Sequence, residues 1–481
     1  MAKEHTNGLN EREIPVDRFS LKDIEKDAHI HFIGIGGISM SGLAQIALQK
    51  GYTVTGSDRT RSHITEQLEK LGAKVYEGHD AKNIEGADLC VHTAAVKADN
   101  PEMAAAIQKG IRLIDRAEFL GAIMKNYTHA VGVSGTHGKT TTTSMLTHAL
   151  VYAGLDPTIS VGGELDLIHG NIRTGGSDYF VTEACEYTNS FLKFYPTIAL
   201  ITNIEEDHLD FFTGGIAQIR DSFRQFAELT AGKGDVVALG SDENIQLALK
   251  GAENLRITTY GMKDEYDYYP KNIVFRAGYP SFDVYKNGEK RCHLDLNVPG
   301  EHNILNALAT IAVCDLMGAD PKKAAQGMET FKGTHRRFEK KGMINGAVVL
   351  DDYAHHPTEI KATIHAATEF PHHRIICIFQ PHTYSRTRTL WNEFVNAFGD
   401  ADEVILTHIY AAREKFDGVT RPENLAKEIE KTGVNVRFID DFDEIAAYVK
   451  SIAQEGDIIF TMGAGDVTEI GPKILEKGAE V

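Results

Sequence analysis

The sequence predicts an α/β protein of about three domains, and three observations carry the prediction. A chain of 481 residues, at roughly 150 per domain, has room for about three. Short apolar runs of strand type alternate with helical patterns, the mark of βαβ units around mainly parallel sheets. Two of those runs, residues 30–33 and 129–133, enter glycine turns that open helices. The composition agrees: 42% hydrophobic and 25% charged residues describe a folded soluble chain, not a disordered one.

In the first block, residues 30–33 form a strand, 39–50 a helix and 52–56 a second strand ending at Ser57-Asp58. Strand-like runs follow at 74–76, 88–93 and 112–114. The second block opens with a strand at 129–133 and a helix over 139–153, followed by strands at 179–183 and 197–203. Residues 264–298 read differently, as an antiparallel patch, because Asn287-Gly288 between alternating runs is a strong hairpin signal. After Gly300 comes a helix whose apolar stripe is Leu305, Leu308, Ile311 and Ala312. The third block carries strands at 347–350, 374–379, 403–408 and 457–461. Expected boundaries are an arm at 1–27 and domains at 28–127, 128–333 and 334–481.

Charge and composition narrow the partners. The 50 basic and 68 acidic residues give a net charge of −18, which argues against nucleic acid. A small phosphorylated substrate remains compatible, since local amides and a few cations can hold phosphate inside an acidic protein. Cys90, Cys185, Cys292, Cys314 and Cys377 form no CxxC pair, so a reduced, cytoplasmic setting fits better than a zinc knuckle. No apolar run is long enough to span a membrane, so no membrane partner is expected. The polar segment 1–27 lacks the apolar core of a secretory signal and reads as a loose arm.

The strongest motif is Gly135-Thr136-His137-Gly138-Lys139-Thr140-Thr141, between a strand and a helix. Phosphate chemistry needs inward-turned N–H groups, a helix N-terminus, a lysine and a hydroxyl for Mg²⁺, and all four are present. Val133 stands where the full P-loop spacing has glycine, so this is a variant. A second glycine turn, Gly34-Ile35-Gly36-Gly37-Ile38-Ser39, has Ser39 at the third glycine position of the dinucleotide fingerprint. Asp58 follows at about the distance of a ribose-binding acid. NAD, another nucleotide and simple packing all stay open for this turn.

Glu183 ends one strand, and Asp207-His208 follows another. With Thr140, these could hold Mg²⁺, a hard cation that prefers oxygen; His208 would then serve a second ion or act through water, or else be a capping residue. His302, Asn303 and Asn306 present a face able to bond a base edge, with helix capping by Asn303 as the alternative. In the third block, Arg336-Arg337, Asp352, His355-His356 and His382 through Arg388 lie near strand ends, where open sheets place ligands. Paired arginines suit bidentate recognition of phosphate or carboxylate.

These residues together resemble the Mur ligases of peptidoglycan synthesis. The matching stretches include Gly34 to Ala44, Gly135 to Thr142, Thr202 to Asp210, Gly300 to Ala307, Arg336 to Glu339, Asp351 to Glu359, Phe379 to His382 and Met462 to Asp466. The resemblance implies an ATP-dependent amide ligase of three domains: a Rossmann-like UDP-sugar domain, a P-loop-type central ATPase domain and a Rossmann-like C-terminal domain. His355-His356-Pro357-Thr358 and Phe379-Gln380-Pro381-His382 point to the alanine-adding member, acting on UDP-N-acetylmuramate, L-alanine and ATP through an acyl phosphate. A monomer or homodimer is expected.

By resemblance, Gly34, Gly36, Gly37, Ser39 and Asp58 hold the UDP-sugar, and Gly135 through Thr141 hold ATP. His302, Asn303, Asn306, Arg337 and Asp352 complete the ATP site. Lys139 stabilises the moving phosphoryl group, and Thr140, Glu183 and His208 hold metal. His356, Arg386 and Arg388 take the amino acid and acyl phosphate, with Arg388 grouped among the catalytic residues. Cys185 and Thr188 stand where the resemblance leads one to expect aspartate. The first lysine after His208 is Lys233, too late for the carbamylated lysine of related ligases, so none is expected. Two other readings compete: a sister ligase attaching a whole peptide to the same sugar in murein recycling, and a dehydrogenase fused to a P-loop NTPase. The broken fingerprint at Ser39 argues against the last.

Overall fold

A computed structural model describes residues 27–93, 96–97 and 99–476. The expected arm at 1–27 therefore lies, but for Asp27, outside the described residues. The chain divides into two compact units, one of residues up to 128 with 193–195, the other of the remainder. Among the described residues, no helix is long and apolar enough to cross a membrane.

The first unit contains β1 (His29–Ile33), α1 (Ile38–Gln49), β2 (Thr53–Asp58), α2 (His63–Lys70), β3 (Lys74–Glu77), β4 (Leu89–His92), α3 (Pro101–Lys109), β5 (Arg112–Asp115) and α4 (Arg116–Met124). Its sheet has the order β3-β2-β1-β4-β5, and every pairing is parallel. That is the doubly wound order, with its switch point between β1 and β4, where such sheets bind ligands. Beside it lies a buried polar network that no motif in the sequence marks. Glu102, fully buried, accepts hydrogen bonds from Ser57 at 2.6 Å and Asn83 at 2.7 Å, and faces His79 at 3.0 Å.

The second unit opens with β6 (His129–Ser134), α5 (Lys139–Tyr152), β7 (Thr158–Leu165), β8 (Gly170–Arg173), β9 (Tyr179–Glu183), β10 (Ile198–Ile201), α6 (Gly215–Glu228), β11 (Asp235–Leu239), α7 (Glu243–Leu249) and β12 (Arg256–Tyr260). It continues with β13 (Tyr268–Arg276), β14 (Tyr279–Lys286), β15 (Glu289–Asp295), α8 (His302–Leu316) and α9 (Pro321–Glu329). These strands form one ten-stranded sheet, β15-β14-β13-β12-β11-β10-β6-β9-β7-β8. The antiparallel patch is present as β13–β15. Asn287 and Gly288 have φ of 48° and 90° between paired Lys286 and Glu289, the two left-handed residues of a tight hairpin. Leu308, Ile311 and Ala312 are fully buried against Met145 and Leu146 of α5.

The same unit ends with β16 (Glu339–Ile344), β17 (Ala347–Asp352), α10 (Pro357–Thr368), β18 (Ile375–Phe379), α11 (Tyr384–Thr389), α12 (Trp391–Val395), β19 (Glu403–Leu406), α13 (Pro422–Glu430), β20 (Asn435–Phe438), α14 (Phe442–Ile452), β21 (Ile458–Met462) and α15 (Ile470–Leu475). Its six-stranded sheet runs β16-β17-β21-β18-β19-β20, parallel except for β16 against β17. Strands β7, β8, β11, β12, β16 and β20 are not among those the sequence pattern predicts. The edge strand β20, with alternate exposed residues, and β12, with only Tyr260 buried, lack a long apolar run.

Candidate active site

The turn between β6 and α5 is built so that backbone can approach a ligand. Gly138 has φ of 80°, and a Cβ there would sit 2.9 Å from Asn306 Oδ1, so glycine is required twice over. No side chain caps the N-terminus of α5, which leaves its first N–H groups available to an anion. Lys139 Nζ is folded back on the turn, donating to the carbonyls of Gly135 and Thr136 and pairing with Glu186 at 3.1 Å. Burial opposes the charge on Lys139, but Glu186 overrides it and raises its pKa well above the usual lysine value.

Thr140 Oγ1 donates to Glu183 Oε2 at 3.1 Å, so these two expected metal ligands are brought together. Burial raises the Glu183 pKa, although Gly162 N–H donates to its other oxygen at 2.6 Å. Among the described residues, His208 makes no hydrogen bond or ion pair with either. Its Nε2 lies 3.8 Å from Glu186 Oε1 and 3.7 Å from Asp207 Oδ2. Glu186, buried between Lys139 and His208, is a site residue that no sequence motif marks; it stands three residues past Glu183, in the loop that follows β9. Cys185 supplies no charge here: burial, with Glu186 adding to it, pushes its thiol up to about 11.

A cavity adjoins the turn, lined by His137, Asn203, His302, Asn306, Arg337 and Asp352. The sequence-predicted ATP residues thus converge, but the two asparagines bond inward. Asn306 accepts from Thr142 at 3.2 Å and donates to Asn303, which donates to the Pro299 carbonyl at 2.6 Å. They brace α8 against the glycine turn. Asp352 likewise accepts from the N–H groups of Phe338 and Ala354, at 2.7 and 2.8 Å, and burial raises its carboxyl to about 6. Among the described residues, Arg337 is the one Lys or Arg side chain lining this cavity, 3.9 Å from Glu359.

A second cavity is lined by His208, Asp207, His382, Arg386, Arg413 and Glu414. Arg386 spans it to Asp207, whose carboxyl is held far below its usual value, burial notwithstanding, by Arg386. Arg388 is not in this cavity, contrary to expectation. It is 59% exposed and pairs with Asp417 at 2.8 Å. The reason is helical geometry: residues two apart on α11 point to opposite sides. His356 is also elsewhere. It caps α10 and packs on His137, their ring centroids 4.6 Å apart. The predicted trio of His356, Arg386 and Arg388 is therefore split three ways. His382 and Arg413 line this cavity with Arg386; Arg413 makes no ion pair among the described residues, and no sequence motif marks it.

In the first unit, Gly36 N–H donates to Asp58 Oδ2 at 2.8 Å and Arg59 N–H to Oδ1 at 2.8 Å. Asp58 thus shapes the glycine turn rather than standing free for a ribose. At Gly34, a Cβ would meet Thr93 Cγ2 at 2.6 Å, so the turn packs closely against the residue that follows β4. No side chain caps α1, and Gly37 and Ser39 lie exposed at its start.

Three family models match in order: the Mur ligase family catalytic domain at 29–128, the Mur ligase middle domain at 133–314 and the Mur ligase glutamate ligase domain at 336–465. A UDP-N-acetylmuramate–L-alanine ligase of Caldanaerobacter subterraneus is 54% identical over 95% of this chain and 99% of its own. One of Clostridium novyi is 50% identical over 95% and 98%. Among solved structures, the UDP-N-acetylmuramate–alanine ligase of Thermotoga maritima has a TM-score of 0.75 at 31% identity, covering 93% of this chain and 98% of that one.

Proposed function

Because the chain belongs to the Mur ligase family, we propose that it joins L-alanine to the carboxylate of UDP-N-acetylmuramate, driven by ATP, in the synthesis of peptidoglycan precursors. The near end-to-end identity to alanine-adding relatives carries this reading. We place its domain boundaries at 127/128 and 333/334, between the three sheets, and its setting in the cytoplasm, where ATP is at hand and the five cysteines stay unpaired.

The reaction divides into two steps. ATP lies with its phosphates on the β6–α5 turn, where the N–H groups of α5 and the ammonium of Lys139 meet developing phosphoryl charge. The sugar carboxylate attacks the terminal phosphorus, ADP leaves, and an acyl phosphate forms. The alanine amine then attacks the acyl carbon and phosphate departs. Lys139 must leave Glu186 to reach the phosphates, so Glu186 acts as its resting partner. Thr140 and Glu183, 3.1 Å apart, give a hard oxygen pair suited to Mg²⁺. When bound, Mg²⁺ neutralises phosphate charge. Arg337 supports the nucleotide from the C-terminal sheet. In the second cavity, Arg386 and Arg413 receive the amino-acid carboxylate, a bidentate task that suits arginine.

The test is a comparison of acceptors with purified protein, UDP-N-acetylmuramate and MgATP. ADP release that depends on free L-alanine, with a product one alanyl residue heavier, is expected. Preference for a tripeptide acceptor would shift the assignment to the peptide-adding sister, and no acceptor-dependent ADP release would overturn it.

A further inference from the structure

We propose that His137, Glu205 and His356 form a second cation site, for a zinc-type divalent ion, joining the β6–α5 turn to the start of α10. Among the described residues, these are the one group of three or more histidine, cysteine or carboxylate side chains whose ligand atoms all lie within 4.8 Å of one another. His137 Nε2 is 3.4 Å from Glu205 Oε2, and His356 Nδ1 is 4.0 Å from the same oxygen. A tetrahedral ion with bonds near 2.0 Å separates its ligands by about 3.3 Å. A modest contraction of the group therefore suffices.

The partners behind the cluster point the same way. Metal-binding histidines almost always give their other ring nitrogen to a carboxylate or a carbonyl, which fixes the tautomer and aims the free lone pair. Both histidines do so here. His137 Nδ1 lies 3.1 Å from Glu359 Oε1, and His356 Nε2 lies 3.2 Å from the Glu206 carbonyl. Glu205 is itself steadied by the Thr358 hydroxyl at 2.6 Å. His137 Nε2 is buried without a well-formed hydrogen bond among the described residues. His356 Nδ1 has only the long 3.4 Å bond from Thr358 N–H to exchange for a metal bond. Two imidazoles and one carboxylate suit zinc, with water as fourth ligand; the all-oxygen preference of Mg²⁺ disfavours it here.

The site is separate from the Thr140–Glu183 pair and would have a different effect. His137 and Glu205 line the nucleotide cavity. An ion there ties the glycine turn to α10 and opposes the nucleotide.

The experiment titrates the full chain, without nucleotide, with Zn²⁺ against a chromophoric chelator and with Co²⁺ as an optical probe. One Zn²⁺ per chain and intense tetrahedral Co²⁺ bands are expected. Glu205→Gln and His356→Ala should each weaken binding by at least tenfold, and Glu359→Gln, one shell further out, by about 10–100-fold. Glu183→Ala should leave Zn²⁺ affinity unchanged, and MgATP should weaken it. Thermal melts of each variant identify any that fail to fold, and the remaining variants then decide. Equal Zn²⁺ affinity in parent, Glu205→Gln and Glu359→Gln would overturn the proposal. So would loss of binding in Glu183→Ala alone, octahedral Co²⁺ spectra, or indifference to MgATP.

Discussion

Arg386 donates two hydrogen bonds to a single oxygen of Asp207, at 3.1 and 2.8 Å, and so ties α11 of the six-stranded sheet to the loop that follows β10. Only about 10% of either side chain is exposed, which places this pair among the desolvated ones whose loss is felt. Asp207 already occupies much of the Arg386 fork, so Arg413 is the freer cation of that cavity.

Arg386→Ala and Arg413→Ala should each raise the KM for alanine by about tenfold or more, with far less change for ATP, because a charged hydrogen bond is worth roughly 1.5–3 kcal/mol. Arg388→Ala should change either KM by less than about fivefold, since its exposed pair with Asp417 is worth about 0–1 kcal/mol. Paired alanine and ATP titrations check this. A larger alanine effect at Arg388 than at Arg413 would return the role to Arg388.

Lys139→Ala should abolish ligation and leave UDP-sugar binding intact, because the two glycine turns belong to different units. Calorimetric titration of the variant with UDP-N-acetylmuramate reads the second half of that statement. Loss of sugar binding would show that Lys139 serves the sugar as well.

Glu183→Ala should raise the Mg²⁺ concentration needed for half-maximal activity several-fold, because it removes one of two adjacent hard ligands. Since burial raises the Glu183 pKa, the parent's Mg²⁺ requirement should also grow as pH falls toward its titration, and this dependence should vanish in the variant. A flat Mg²⁺ response in the variant would move the metal elsewhere.

The first unit should carry an acid-sensitive element. Burial penalises the Glu102 charge, but the nearby His31 ring, 3.7 Å away, and hydrogen bonds from Ser57 and Asn83 outweigh it and hold the carboxyl down at about 2. A lowered folded pKa means stability that is present above the ordinary value of 4.5 and lost as pH falls from there toward 2, about 3 kcal/mol in all. Glu102→Gln should therefore melt well below the parent at pH 7, and the gap should narrow steadily between pH 5 and pH 3. A gap independent of pH would mean that the network is held by shape and not by charge.

The elements that rest on local rules were legible in the sequence. The strand–glycine–helix turns at Gly34 and Gly138, the Asn287-Gly288 hairpin and the buried stripe of α8 each follow from backbone sterics or periodicity within about ten residues. The pairing of Thr140 with Glu183 was readable too, because both stand at strand or helix ends facing one turn. What the tertiary structure alone decided is which charged group meets which. Glu186 against Lys139, Asp207 against Arg386 and Glu359 against His137 join segments far apart in the chain. Sequence placed Arg386 and Arg388 together because they are two positions apart; the helix set them on opposite faces. Local sterics act between neighbours and leave a pattern in the chain, whereas electrostatic pairing depends on where packing brings distant side chains, and a single sequence carries no periodic trace of that.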